Sequence, residues 1–219
     1  MKKNIDIKEE YEKTKHKRNY KHFYQCFLKR VVDILFSLIA IPCVLIIILP
    51  FVIAIKIEDG GPIFYKSKRI GKGFKEFGML KLRSMKVDAP DIRNEDGGTY
   101  NSENDPRVTK VGKFIRKTSI DELPQIFNIF IGQMSIIGPR AGDVESKDTY
   151  QDDEKDKLLV KPGLTGYTQA YFRNGLDVRH KRLYDAWYAH NVSLWLDIKV
   201  FFKSIATVLK RDNIYTNNK

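Results

Sequence analysis

Residues 34–55 read ILFSLIAIPCVLIIILPFVIAI, 22 uncharged residues in unbroken succession. As a straight helix such a run is about 33 Å long, enough to cross a bilayer core of about 30 Å. A buried helix of a soluble domain is rarely so long or so apolar. A cleavable signal is excluded as well, because a charged and aromatic stretch precedes the run and no small-residue cleavage site follows it. Pro42 and Pro50 interrupt it. Each removes a backbone donor and crowds the preceding turn, so a kink or reversal is expected. Residues 1–30 carry ten Lys/Arg against four Asp/Glu, and residues 56–86 carry nine against three. Basic flanks stay on the cytoplasmic side, so a single crossing would misplace one of them. A re-entrant hairpin satisfies both, and a simple transmembrane anchor is the alternative.

At 219 residues the rest of the chain makes one ordinary domain. Net charge is +12 and the isoelectric point about 9.5, which points to an anionic partner: nucleic acid, a phosphorylated substrate or a lipid headgroup surface. Cys26 and Cys43 lie beside or inside the apolar run without metal-ligand spacing, and the four histidines are scattered. Neither a disulfide framework nor a zinc site follows, and a reducing setting fits.

Residues 1–28 read as a basic arm or surface helix without a core pattern, 29–57 as the membrane hairpin, 58–212 as the catalytic domain and 213–219 as a tail. Short strands are expected over Pro62–Arg69 and Phe77–Met85 around the Gly71-Lys-Gly73 turn. Residues 87–106 are polar and turn-rich, 142–157 are charged and partly helical, and Asp177–His190 reads as a helix. In Leu194–Arg211, Leu194, Ile198, Phe201, Ile205 and Val208 form an apolar stripe opposite Lys199, Lys203 and Lys210. That helix either docks on the core or lies in a membrane interface with Trp195 at the boundary.

The chemistry concentrates in Arg116-Lys-Thr-Ser-Ile-Asp-Glu-Leu-Pro-Gln125 and Gly138-Pro-Arg140. Thr118 or Ser119 makes a good N-cap, with Leu123, Ile126, Phe127 and Phe130 at helical spacing behind it. Asp121 and Glu122 then fall in a first turn, where backbone N–H groups and the helix dipole favour anions. Phosphates can be held beside such a turn. Ser119-x-x-Glu122 is equally a capping box with no chemistry at all.

With the other motifs the chain resembles the bacterial sugar transferases, the monotopic phosphoglycosyltransferases that start glycan assembly on a polyprenol phosphate. The resemblance runs from about Lys29 to Arg211. It is carried by Lys29-Arg-Val-Val-Asp33, Gly61-Pro-Ile-Phe-Tyr65, Lys81-Leu-Arg-Ser-Met85, Asp105-Pro-Arg-Val-Thr109, Ser119-Ile-Asp-Glu-Leu-Pro-Gln125, Met134-Ser135 through Arg140, and Lys161-Pro-Gly-Leu-Thr-Gly166. It resembles the form with a single catalytic domain.

The resemblance implies an α/β fold: a helix-rich catalytic domain with a small mixed sheet, an N-terminal re-entrant membrane helix-hairpin and amphipathic interfacial helices. It implies transfer of a sugar-1-phosphate from a UDP-sugar to polyprenol (undecaprenyl) phosphate, with release of UMP, at the cytoplasmic face of a bacterial inner membrane. Asp121 would be the nucleophile that forms a covalent phospho-sugar intermediate, and Glu122 would hold Mg²⁺. Lys81, Arg116, Arg140, Gln169 and Arg173 would surround the phosphates and nucleotide, and Lys29 and Arg30 would meet lipid headgroups. Partners would be the UDP-sugar, polyprenol phosphate and membrane lipids, with a homo-oligomer and downstream glycosyltransferases as further candidates. A membrane-anchored scaffold that keeps the fold without the chemistry is the competing class. Nucleic-acid binding lacks any recognition-helix or RNA-platform pattern.

The chain departs from the family pattern at four places. Leu45 and Ile46 replace a central Ser-Pro pair in the hairpin, Ala141 replaces the proline after Gly-Pro-Arg, Gln133 replaces an acidic residue before Met-Ser, and Phe172 replaces a small residue before Arg173.

Overall fold

A computed structural model describes residues 7–15, 23–92, 100, 102, 104–172 and 175–209. Helix α1 spans Ile7–Lys15, and a π-helical turn, Tyr24–Leu28, leads into α2, Lys29–Asp59. Strands β1 (Phe64–Ile70) and β2 (Glu76–Leu82) follow, then α3 (Lys110–Lys117), a 3-10 turn over Ile120–Glu122, α4 (Gln125–Ile131), β3 (Ser135–Ile137) and β4 (Gly142–Asp143). The chain closes with α5 (Asp152–Lys155), β5 (Gly163–Thr165), α6 (Tyr167–Tyr171), α7 (Val178–Asn191) and α8 (Leu194–Leu209). The strands form a three-stranded sheet in the order β2-β1-β4 and a separate parallel pair, β3-β5. The fold is therefore helix-rich with two small sheets.

Helix α2 is continuous over 31 residues with both prolines inside it. Asp33, Ser37, Val44, Ile48 and Ile55 are buried along one stripe, the spacing of a helical face. Leu35, Leu38, Ile39, Leu45, Ile46, Leu49 and Ile53 are exposed on the remainder, an apolar surface far too extended for water. Both ends are tied to the same body. Near the start, Asp33 accepts hydrogen bonds from Ser135 Oγ (3.1 Å) and the Ile136 N–H (2.9 Å). At the end, the Glu58 carboxylate accepts from the N–H groups of Lys110 (2.7 Å) and Val111 (3.2 Å) at the N-terminus of α3, where the helix dipole favours a negative charge. Asp59 pairs with the buried Arg83.

The first residues differ from their sequence reading. Ile7, Tyr11 and Thr14 are buried, and α1 packs on α7. Tyr11 Oη donates to Asp156 (2.6 Å), which also faces His190 Nε2 at 2.7 Å. The stripe escaped periodicity because its third member is a threonine and its second relies on a hydroxyl contact rather than apolar area alone.

Helix α8 both docks and remains apolar outside. Its inner seam mixes apolar and polar contacts. Val200 is buried in the core with Leu196 and Phe201 packed beside it. Buried Asp197 takes Tyr24 Oη at 2.6 Å and pairs with Lys29, Ser204 Oγ meets Thr165 Oγ1 at 2.7 Å, and Thr207 Oγ1 donates to the Ala170 carbonyl at 2.9 Å. Leu194, Trp195, Ile198, Phe202 and Ile205 stay exposed. Of the stripe, Phe201 packs inward on the core, while Leu194, Ile198 and Ile205 face outward. Residues 213–219 lie outside the described residues.

The Asp105-Pro-Arg-Val-Thr109 segment is a structural knot. Asp105 accepts from the backbone N–H and the guanidinium of Arg107, which also bonds the carbonyls of Pro90 (3.1 Å) and Tyr100 (3.3 Å). Thr109 then caps α3 through the Gly112 N–H at 2.9 Å. Replacing Arg107 by alanine strands a buried carboxylate and should cost about 3–5 kcal/mol. A thermal melt in detergent that left the midpoint unchanged would refute this role.

Candidate active site

The dyad does not sit where the capping signal places it. Ser119 has a left-handed backbone (φ 58°, ψ 18°) and makes no side-chain cap. Asp121 and Glu122 lie in the 3-10 turn, and the α-helix restarts only after Pro124. Proline cannot donate to the preceding turn but suits a helix start, so the sequence resets the helix there. A non-glycine residue with φ above zero stores local strain. Here it turns the chain sharply at the residue before Ile120 and frees Glu122 from capping.

Glu122 instead reaches across to β2, where Lys81 Nζ lies 2.8 Å from its Oε1. The height of Lys81 is set by two devices. Strand β2 pairs antiparallel with β1, with Lys81 opposite Tyr65, Met79 opposite Ser67 and Phe77 opposite Arg69. Buried Asn128 on α4 then holds β2 with its amide, accepting from the Leu80 N–H (2.9 Å) and donating to the Gly78 carbonyl (2.8 Å). The helix that follows the dyad is thereby fixed to the strand that carries its counterion.

The two carboxylates are driven apart electrically. Asp121 is 8% exposed, and burial raises its pKa to about 6, with the Glu122 charge adding to the rise while Lys81 and Arg116 oppose it. Glu122 is held down at about 2, chiefly by Lys81, with Arg140 and Arg69 helping against burial. Adjacent acids with divergent environments can take different roles. At neutral pH both are ionised, one stabilised by cations and the other left basic.

A small cleft joins Glu122 to Arg69, Met79, Gln125, Arg140, Ala141, Gly163, Leu164 and Gln169. Arg140 follows β3 and is positioned by an unusually close approach of two turns. A Cβ added to Gly163 would lie 2.1 Å from the Gly138 backbone nitrogen, so only glycine fits. Gln169 on α6 lines the cleft, and its buried Oε1 has no hydrogen-bond partner among the described residues. A buried acceptor left open in a cleft is a natural ligand contact.

Of the residues expected at the phosphates, Lys81 pairs with Glu122, and Arg140 and Gln169 line the cleft with Glu122, whereas Asp121 and Lys81 are not among its lining residues. Arg116 acts on Asp121 through its charge but does not line the cleft. Arg173 lies outside the described residues. The two cations expected at headgroups also have partners within the protein. Lys29 pairs with Asp197 and lies 3.2 Å from Tyr188 Oη, and Arg30 donates to the carbonyls of Ile129 and Phe130, each at 2.6 Å. These are the last carbonyls of α4, where a cation is favoured.

Sequence reasoning missed Arg69 and Gln125. Arg69 shares its strand face with Tyr65, the partner of Lys81, so strand alternation could have found it. It is also paired with Asp143. Gln125, the first residue of α4, carried no signal beyond helix propensity. Of the departures, Gln133 accepts from Asn128 Nδ2 at 2.7 Å and does not line the cleft. Phe172 packs on Tyr184 with ring centroids 4.6 Å apart. Ala141 alone stands in the cleft wall.

Mg²⁺ prefers oxygen ligands and commonly uses one or two carboxylates plus substrate phosphates. The Asp121-Glu122 pair fits that donor set. No cluster of three or more potential ligands occurs among the described residues, so a metal here would depend on oxygens from the substrate.

A Gly163→Ala variant should lose about 1–3 kcal/mol through overpacking and displace Arg140. Calorimetry checks the first effect, and a fall in nucleotide affinity measured in parallel checks the second.

Residues 24–211 match the bacterial sugar transferase family. The chain is 40% identical over 86% of its length to an undecaprenyl-phosphate galactose phosphotransferase of Salmonella typhimurium, covering 42% of that protein. It is 38% identical over 81% of its length to a UDP-glucose:undecaprenyl-phosphate glucose-1-phosphate transferase of Escherichia coli, covering 39% of it. An uncharacterized sugar transferase, EpsL, of Bacillus subtilis is 35% identical over 87% of this chain and is itself covered over 92%. The chain thus spans about two-fifths of the first two relatives and nearly all of the third. It belongs to the bacterial sugar transferase family.

Proposed function

We propose that this protein transfers a sugar-1-phosphate from a UDP-sugar to undecaprenyl or a similar polyprenol phosphate, starting a membrane-borne glycan. The carrying observation is the pair of carboxylates split by their environments. Asp121 is buried and basic, with a pKa of about 6, beside Glu122 held ionised by Lys81. The relatives' names supply the substrate class.

In this reading an Asp121 oxygen attacks the sugar-bearing phosphorus of the UDP-sugar. The bond from that phosphorus to the bridging oxygen breaks, and UMP leaves with the bond electrons. An oxygen of the lipid phosphate then attacks the same phosphorus, and the acyl phosphate bond to Asp121 breaks, restoring the carboxylate. A carboxylate is a modest nucleophile, so the phosphoryl group must be activated. Arg140 and Arg69 would bind its oxygens bidentately, and Lys81 would hold charge at the leaving group. Gln169 Oε1 would accept from a hydroxyl or amide of the donor. Mg²⁺, held by Glu122 and the substrate phosphates, would neutralise diphosphate charge.

The apolar helix fits a membrane anchor. Asp33 and Glu58, near opposite ends of one continuous helix without the expected reversal at Pro42 or Pro50, are both bonded to the same domain, which favours an anchor held along one membrane face over a simple crossing. The exposed Leu194, Trp195, Ile198, Phe202 and Ile205 of α8 would lie at headgroup level.

UMP release by the detergent-solubilised protein with polyprenol phosphate, Mg²⁺ and a panel of UDP-sugars tests the reaction. Asp121→Asn should abolish it, and persistence of UMP release in that variant would overturn the assignment. Because Asp121 must be ionised to attack, the rate should be flat above its pKa of about 6 and fall about ten-fold per unit below it. Glu122→Gln removes a charge that raises that pKa, so its residual activity should show an acid limb shifted to lower pH. A limb at the ordinary aspartate value in the unsubstituted enzyme would show that another group limits the rate.

A further inference from the structure

A second cavity, of about 280 Å³, opens between the first turns of α2, the start of β3 and the residues ahead of β5. Lys29, Arg30, Asp33, Lys72, Lys161 and Cys26 are among the residues that wall it, and none of its lining residues lines the dyad cleft.

The charges around it do not balance. Lys29 is neutralised by Asp197. Asp33 is committed to Ser135 and the Ile136 N–H. Arg30 donates to two carbonyls, which take two of its five N–H donors and carry no formal charge. The side chains of Lys72 and Lys161 have no hydrogen bond or ion pair among the described residues. The guanidinium and the Lys161 ammonium converge, since a Cβ placed on Gly132 would lie 3.2 Å from Arg30 Nη2 and 3.4 Å from Lys161 Nζ. Burial first, then repulsion from Arg30 and Lys72, lowers the pKa of Lys161, with Asp33 only partly compensating. A half-buried ammonium held near two other cations lacks an anion.

The elements that carry the cavity say where that anion comes from. Its wall includes the first turns of α2, the helix whose Leu35, Leu38, Ile39, Leu45 and Ile46 are exposed. Phe23 and Phe27, which flank in sequence the lining residues Gln25 and Cys26, are 70% and 59% exposed. A soluble anion gains nothing from such a border, whereas a lipid phosphate brings acyl chains to cover it.

We propose that this cavity binds the phosphodiester of an anionic membrane phospholipid, with Lys161 and Lys72 donating to the phosphate and Phe23 and Phe27 covered by its acyl chains. The bound lipid would be a structural one, separate from the lipid phosphate that reacts at the dyad. It would supply the counterion the first turn of α2 lacks and fix the anchor at headgroup depth.

Cys26 reports occupancy, because it is exposed and lies in the cavity wall. The full chain in a maltoside detergent is alkylated with a water-soluble maleimide, and peptide mass spectrometry separates Cys26 from Cys43. Dioleoyl phosphatidylglycerol should slow Cys26 labelling, while dioleoylglycerol should not. Lys161→Gln should raise the lipid concentration for half-protection about ten-fold, the loss of one charge-assisted hydrogen bond, and Lys161→Arg should restore it. Lys72→Gln gives a second variant in case the first fails to fold, and thermal melts verify both. Equal protection by dioleoylglycerol would reduce the site to apolar covering and overturn the proposal. Equal protection by sodium phosphate would make it a soluble-anion site, and stronger protection by polyprenol phosphate would make it an acceptor site; either result overturns the phospholipid assignment. Unchanged protection in both folded glutamine variants overturns the role of the lysines. This readout is independent of UMP release, so its failure would leave the dyad chemistry standing.

Discussion

The rest of the structure depends on how the apolar helix is bolted to the catalytic body. Asp33 accepts a backbone hydrogen bond from Ile136 in β3, and Arg30 donates to the carbonyls that end α4. Strand β3 leads into Gly138-Pro-Arg140, and α4 begins three residues after the dyad. The same few bonds that fasten the anchor therefore fasten both halves of the reactive cleft. Glu58 repeats the arrangement at the other end, on the N-terminus of α3. Buried charges and polar groups of this kind are costly unless satisfied, so each tie holds one geometry strongly against alternatives. Each tie therefore holds the carboxylate pair at one fixed distance from the apolar helix.

Within the cleft, electrostatics rather than shape divides the labour. Two neighbouring carboxylates would ordinarily repel and titrate together. Lys81, Arg140 and Arg69 stabilise the charge on Glu122, while Asp121 is withdrawn from solvent and keeps a raised pKa. The outcome depends on Ser119 adopting a left-handed backbone and Pro124 delaying the helix. A conventional capped helix would have turned Glu122 back onto its own backbone and left Lys81 without its partner.

Much of this was legible beforehand. The apolar run, the strand pair around Gly71-Lys-Gly73 and the helices over 178–191 and 194–209 follow from local pattern and appear within a few residues of expectation. Lys81, Arg140 and Gln169 were singled out from motifs; Lys81 pairs with Glu122, and Arg140 and Gln169 line a cleft with it. Two long-range pairings were not legible. A capping box of Ser119 and Glu122, the alternative to chemistry there, and the placing of Lys29 toward headgroups both look for a partner close by or in solvent. In the folded chain Glu122 finds Lys81 across 41 positions and Lys29 finds Asp197 across 168. No local window contains that choice.

The sequence by itself determined the elements: a run long and apolar enough to fit a membrane anchor, strands that alternate, and a carboxylate pair on one tight turn ahead of a proline. Those properties arise from periodicity, side-chain volume and backbone restriction, which act over a few residues. Tertiary structure alone decided which cations face which acids, that Arg69 joins the cleft, that α8 docks by Val200, Phe201 and a set of polar contacts while Leu194, Ile198 and Ile205 stay outside, and that Lys72 and Lys161 line a cavity without an ion pair among the described residues. Those properties arise from Coulomb and hydrogen-bond energies that depend on distance through space, and only the folded chain fixes those distances.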